Sequence, residues 1–234
     1  MTTFGVTFAR GGSKGVPGKN LRTVGGQSLL ELAVTLGLSM ASIDRMLCST
    51  DSAEIRAEAI KFGAEVPTLR PAELAQDDSP EWAAWQHCAL HLIRDGAQEN
   101  DLMVSLPATS PLREERDVQQ AIDVFRAGAF DLVLGVCESS TSPWFNMVVR
   151  ESQGEVVLVS TSGLGEIVRR QDAPTVFDVT TVVYVTTLGF VLGAPGIFAG
   201  MVGSVIVPRE RALDIDTELD LDVANFLARR NKER

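Results

Sequence analysis

The chain of 234 residues is 45% hydrophobic and 22% charged, enough apolar material for a core and too much for a disordered chain. Its 21 Lys and Arg stand against 31 Asp and Glu, a formal net charge of −10 that argues against nucleic acid or an anionic membrane surface as a partner. Any anionic ligand must therefore meet a local basic pocket, and the length suits one α/β domain with a small appendage.

In chain order, residues 4–8 read as a short strand, followed by a glycine- and lysine-bearing loop over residues 9–20. Residues 28–40 carry Leu29, Leu32, Ala33 and Leu36 at near-helical spacing, and residues 45–49 form a second strand candidate. Ser52 is the expected N-cap of the next helix. This order predicts a parallel α/β sheet. A further strand is predicted over residues 65–69, an ordered loop over 71–79, and a helix over 81–94 whose Trp82, Trp85, Ala89 and Leu92 make a core stripe. His87 and His91 share the spacing of a metal-binding pair, but no third ligand stands nearby and a structural role is the simpler reading.

Strands are predicted over 102–106 and 132–136, with a helix over 117–127 between them. Residues 139–171 alternate short strand-like runs with turns, which predicts a β-rich insertion in a core made of residues 1–138 and 172–234. Between Asp178 and Arg209 no charge occurs, yet the glycines and Pro195 that break this stretch speak for two buried strands joined by a glycine-rich connection, not a membrane span. An acidic turn and a helix over 219–229 follow. The three cysteines, Cys48, Cys88 and Cys137, are scattered, as reduced core thiols in a cytoplasmic protein would be, and the first residues lack the pattern of a secretory signal.

Two features carry chemistry. In ARGGSKGVPGKN (residues 9–20) the glycines let backbone N–H groups close around oxyanions, and Arg10, Lys14 and Lys19 add positive charge. The spacing is neither that of a Walker A loop nor GxGxxG. A basic surface loop is the alternative; position after the first strand favours phosphate binding, because α/β ligand sites lie at strand ends. In DIDTELD (residues 214–220), Asp214 and Asp216 stand at i, i+2 and can share a hard cation such as Mg²⁺. The alternative is an acidic helix start complementing the dipole, the reading preferred for Glu218 and Asp220. Together the two features suggest nucleotidyl transfer.

With STDS (residues 49–52), ATSPLR (108–113) and RRQ (169–171), these motifs in order resemble the acylneuraminate cytidylyltransferases, the CMP-sialic acid synthetases and their relatives acting on legionaminic and pseudaminic acids. The resemblance runs from about residue 4 to 226. It implies a Rossmann-like α/β nucleotidyltransferase sheet and a homodimer whose β-rich insertion reaches the partner. It also implies CTP, Mg²⁺ and an acidic sugar as ligands, with CMP-sugar and pyrophosphate as products. By the same likeness Arg10, Lys19, Asp214 and Asp216 are catalytic, and Asp214 and Asp216 hold Mg²⁺. Ala9, Arg10, Gly11, Gly12, Ser13, Lys14, Lys19, Asn20 and Ser79 would bind the nucleotide. Pro107, Thr109, Ser110, Arg169 and Gln171 would line the sugar site. The chain departs from the family pattern twice on the sugar side: Pro107 replaces the glutamine of LQPTSPLR, and Asp178-Val179-Thr180-Thr181 replaces the usual asparagine-glycine before the late strand. The departures imply that plain N-acetylneuraminate is a poor substrate. Two further readings remain open at this level: a sugar-phosphate nucleotidyltransferase using another nucleoside triphosphate, and a non-catalytic nucleotide-binding protein.

Overall fold

In a computed structural model, residues 1–13, 15–76, 79–161, 167 and 169–232 are described. The ordered elements are β1 (Thr3–Phe8), β2 (Thr23–Val24), β3 (Gln27–Ser28), α1 (Leu29–Ser39), β4 (Arg45–Ser49), α2 (Ala53–Lys61) and α3 (Glu81–Arg94). They continue with β5 (Leu102–Ser105), α4 (Glu115–Arg126), β6 (Leu132–Glu138), β7 (Val148–Arg150), β8 (Val156–Leu158), β9 (Phe177–Thr187), α5 (Leu188–Gly193), β10 (Val202–Ile206) and α6 (Glu218–Lys232).

Among the described residues one six-stranded sheet forms in the order β10-β6-β9-β5-β1-β4. All neighbours are parallel except β9, which runs against both β5 and β6. β5 (LMVS) and most of β6 (LVLGVC) read as apolar runs because both faces are covered, while β10 at the edge alternates buried and exposed residues. On one face Leu30 and Val34 of α1, Ile55 of α2 and Val118 and Ile122 of α4 pack on Met46, Val104 and Val185. On the other, Trp85, Ala89 and Leu92 of α3 and Val191 of α5 pack on Val6, Met103 and Leu134. Ser28 starts α1 with a reciprocal cap, its hydroxyl accepting from the Glu31 amide at 3.0 Å while Glu31 Oε2 accepts from the Ser28 amide. Ser52 caps α2 in the expected way, its hydroxyl accepting from the Ile55 amide.

From β1 the chain passes through α1 to β4 on one side, while β5 pairs on the other side of β1. That makes the crevice above β1 and β5 a topological switch point, where open α/β sheets bind ligands. Because β9 is reversed, its first residues, not its last, reach this same rim.

Two expectations need correcting. Residues 65–69 form no strand; Glu65 makes one isolated bridge to Leu47, and the next backbone bond to that side is the Arg70 amide donating to the Thr50 carbonyl at 2.7 Å. The connection from β9 to β10 is not merely glycine-rich, since α5 forms there, capped by the Thr187 hydroxyl accepting from the Phe190 amide at 3.1 Å. Within the predicted insertion β7 and β8 make a separate antiparallel pair, with every residue of both strands exposed. No helix among the described residues is long and apolar enough to cross a membrane.

Candidate active site

The loop after β1 is tied down at several points. The Ala9 amide donates to the Ser49 carbonyl at 3.0 Å, and the Gly11 amide donates to Asp51 Oδ1 at 2.9 Å. Asn20 is buried, and its Nδ2 donates to the Arg10 carbonyl at 3.0 Å, so it shapes the loop from behind. Gly18, at φ 63°, supplies the left-handed residue that starts the short 3-10 turn Lys19–Leu21. Arg10 Nη1 donates to the Gln76 carbonyl at 3.0 Å. Gly12 and Ser13 lie on the outer part of the loop, where a Cβ on Gly12 would meet nothing within 4 Å. Lys14 lies outside the described residues.

The loop meets the acidic segment from the far end of the chain. A Cβ on Gly15 would overlap the Asp216 carbonyl oxygen, so only glycine allows this approach. Lys19 Nζ pairs with Asp216 Oδ1 at 3.0 Å, the lysine side chain only 16% exposed and the aspartate 72%. Between the two aspartates, Ile215 is fully buried against Leu29, Ala108 and Leu221, and its amide donates to the Thr109 carbonyl at 2.9 Å. This anchors the acidic segment to the loop after β5. Downstream, Asp220 accepts from the Asp216 and Thr217 amides at 3.1 and 2.7 Å, and Glu218 takes Arg22 through two bonds of 2.7 and 2.9 Å. Those two carboxylates thus serve the start of α6.

Asp214 differs. Its Oδ1 is buried with no hydrogen-bond partner among the described residues. Burial pushes its pKa up, the hydroxyls of Thr109 and Thr181 offset this in part, and the charge on Asp216 adds to the rise. Behind it Arg113 is buried, its Nε and Nη1 donating to the Ser110 and Val182 carbonyls at 2.9 Å each. An orphaned buried carboxylate oxygen beside an exposed carboxylate is a hard-oxygen donor set. It suits Mg²⁺, which takes one or two carboxylates and fills its remaining positions with phosphate oxygens and water. Among the described residues no three His, Cys, Asp or Glu side chains gather as a metal cluster. His87 and His91 line a separate small cavity beside Cys48 and Cys88, whose thiols burial pushes up to about 12.

Above β1 and β5 opens a cavity of about 310 Å³. Of the residues singled out by sequence, Arg10, Ser79, Pro107 and Thr109 line it. Ser79 is held in place by its hydroxyl donating to the Glu73 carbonyl at 2.7 Å. Ser110 does not reach the cavity; it is buried, and its hydroxyl meets that of Thr181 at 2.7 Å. Arg169 pairs with Asp172 at 2.9 Å on the surface, and Gln171 lines a different groove beside Ser139. Neither is brought to the cavity within this chain.

Thr181, part of the second departure from the family pattern, lines the cavity too, and sequence reasoning missed Arg70, Glu81 and Tyr184, which also line it. Arg70 is buried, 3.7 Å from Asp51, and burial pulls its pKa down while Asp51 works against that. A lone arginine between Leu69 and Pro71 was the available signal. Tyr184, the only tyrosine of the chain, packs edge-on against Trp85, which stacks on Phe8, and burial pushes its hydroxyl up to about 12.

A family model described as Cytidylyltransferase matches residues 5–186. The chain is 30% identical over 219 residues to the post-translational flagellin modification protein B of Campylobacter coli, covering 94% of this chain and 92% of that one. It is 29% identical to the CMP-N,N'-diacetyllegionaminic acid synthase of Campylobacter jejuni, with the same coverage. A solved structure of CMP:2-keto-3-deoxy-manno-octonic acid synthetase complexed with CTP matches at a TM-score of 0.71 over 100% of both chains, at 15% identity, a likeness of fold.

Proposed function

The chain belongs to the cytidylyltransferase family, and on that premise we propose that it transfers CMP from CTP to the anomeric hydroxyl of a nonulosonic, sialic-acid-like sugar, releasing pyrophosphate. In this reaction the hydroxyl oxygen gives up its proton to water and forms a bond to the α-phosphorus, the bond from that phosphorus to the bridging oxygen breaks, and pyrophosphate departs. The observation that carries the reading is the union of Lys19 and Asp216, 197 residues apart, at the switch point of the sheet.

Arg10, Lys19 and the loop amides would hold the triphosphate, and Arg70 and Ser79 the base end of the cavity. Asp214 and Asp216 would hold Mg²⁺, which when bound neutralises phosphate charge as the leaving group separates. Lys19 then exchanges Asp216 for phosphate oxygens, a short shift for a flexible ammonium. Phe8 and Tyr184 give the cavity an aromatic part of its lining.

The acceptor reading is supported by the relatives named for CMP-legionaminic acid synthesis. Pro107 lines the cavity without a side-chain donor or acceptor. N-acetylneuraminate is accordingly expected to be a poorer substrate than its diamino relatives. The exposed apolar hairpin β7–β8 supports a homodimer in which the arm, with Arg169 and Gln171, completes the neighbour's site, and the reaction suits a cytoplasmic enzyme supplied with CTP.

Pyrophosphate release from CTP and Mg²⁺ with a panel of nonulosonic acids tests this. Turnover with at least one acid, and a loss of about 100-fold or more in Asp216→Ala, is expected. Release with GTP and a sugar phosphate but not with CTP, or full activity of Asp216→Ala, would overturn it.

A further inference from the structure

Past Thr181 a second groove opens, of about 340 Å³, lined by Thr181, Asp214, Asp178, Val179 and Arg209 among others. Thr181 lines both spaces, which makes them neighbours, and Asp214 lines the second. The two departures from the family pattern line these spaces, Pro107 the first and Asp178-Val179-Thr180-Thr181 the second. The β6–β9 register shifts between Leu134 and Val136, next to Thr180, and such an irregularity commonly re-aims side chains beside a site.

Arg209 and Asp178 face each other at 4.0 Å, with side chains 58% and 55% exposed. A pair this long and this wet contributes almost nothing to stability. Arg209 also reaches the Cys137 thiol, and exchanging such exposed partners for a ligand costs little.

Resting on the proposed acceptor class, we propose that Arg209 binds the carboxylate of the acceptor sugar and that Asp178 accepts a hydrogen bond from one of its hydroxyl or amide N–H groups. In an ulosonic acid the carboxylate is attached to the same carbon as the attacking anomeric hydroxyl. The cation that grips it must lie close to the reaction centre, and Arg209 shares a groove with Asp214. The other cations lining the two spaces, Arg10 and Arg70, sit across the cavity with Gln76 and Asp51. A guanidinium takes a carboxylate through two parallel bonds and so fixes the direction of the hydroxyl as well as the affinity.

The test is steady-state kinetics of Arg209→Gln and Arg209→Lys with CTP and the best acceptor, beside an acceptor whose carboxylate is a carboxamide. Arg209→Gln is expected to raise the acceptor KM about 10- to 100-fold, the span of a charged hydrogen bond. The CTP KM and the thermal midpoint should stay as in the wild type, and Arg209→Lys should recover part of the loss. The wild type should favour the acid over the amide, and Arg209→Gln should not. An active wild type with an unchanged acceptor KM in Arg209→Gln, or the whole effect moving to Arg169→Gln, would overturn this assignment alone. A wild type that turns over no nonulosonic acid would overturn the function and this assignment with it.

Discussion

Gly15 and Asp214 show how this site depends on single atoms. At Gly15 a methyl group would strike the backbone of Asp216, so the loop and the acidic segment could not both keep their places. Gly15→Ala is expected to lower kcat/KM by at least 10-fold and the thermal midpoint by several degrees, read from pyrophosphate release and calorimetry. Asp214 pays for function in stability. Its folded pKa is raised by burial, so ionising it disfavours the folded state. That penalty is absent below the unfolded pKa and fully present above the folded one. Asp214→Asn, without Mg²⁺, should therefore melt higher than the wild type at neutral pH, and the gap should close as pH falls through the carboxylate range. Melting curves at several pH values check the sign, and the variant should be inactive throughout.

Elements position the site through a few joints. Arg211 reaches Asp117 of α4 through bonds of 2.8 and 2.9 Å, both side chains largely buried, and so fixes the approach to Asp214. Arg211→Ala leaves a buried carboxylate unpaired and is expected to cost about 3 kcal/mol in denaturant unfolding. The hairpin raises a different question, since two isolated strands with both faces wet are marginal alone. Val149 and Val157 stand opposite each other in its register. Replacing them with Glu and Lys keeps a favourable cross-strand pair while removing the apolar surface. In light scattering the wild type is expected to run as a dimer and the double variant as a monomer. The helices and parallel strands were legible in the sequence because apolar periodicity and caps such as Ser28 and Ser52 are local signals. The antiparallel direction of β9 was not, because strand direction depends on distant partners. Tyr184 was missed for that reason: only the reversal of β9 sets it beside Ser105, at the end of β5 where the cavity opens. Arg70 was missed because a buried cation looks, in sequence, like a surface one.

For the molecule as a whole, a net charge of −10 and two anionic substrates are reconciled by position. Arg10, Arg70, Lys19 and Arg209 stand at one rim of the sheet, while the loop glycines let the chain come close enough to use backbone dipoles. The motifs at both ends of the sequence were readable separately. Their meeting was not, since it is made by Ile215 entering a core shared with Leu29 and Ala108. The most direct measurement of the central claim is mass analysis of the product formed from CTP and a panel of nonulosonic acids in Mg²⁺. A CMP-sugar in equal amount to pyrophosphate is expected, formed from CTP in preference to GTP, UTP or ATP. A nucleoside diphosphate sugar, or no covalent product while CTP still binds, would contradict it.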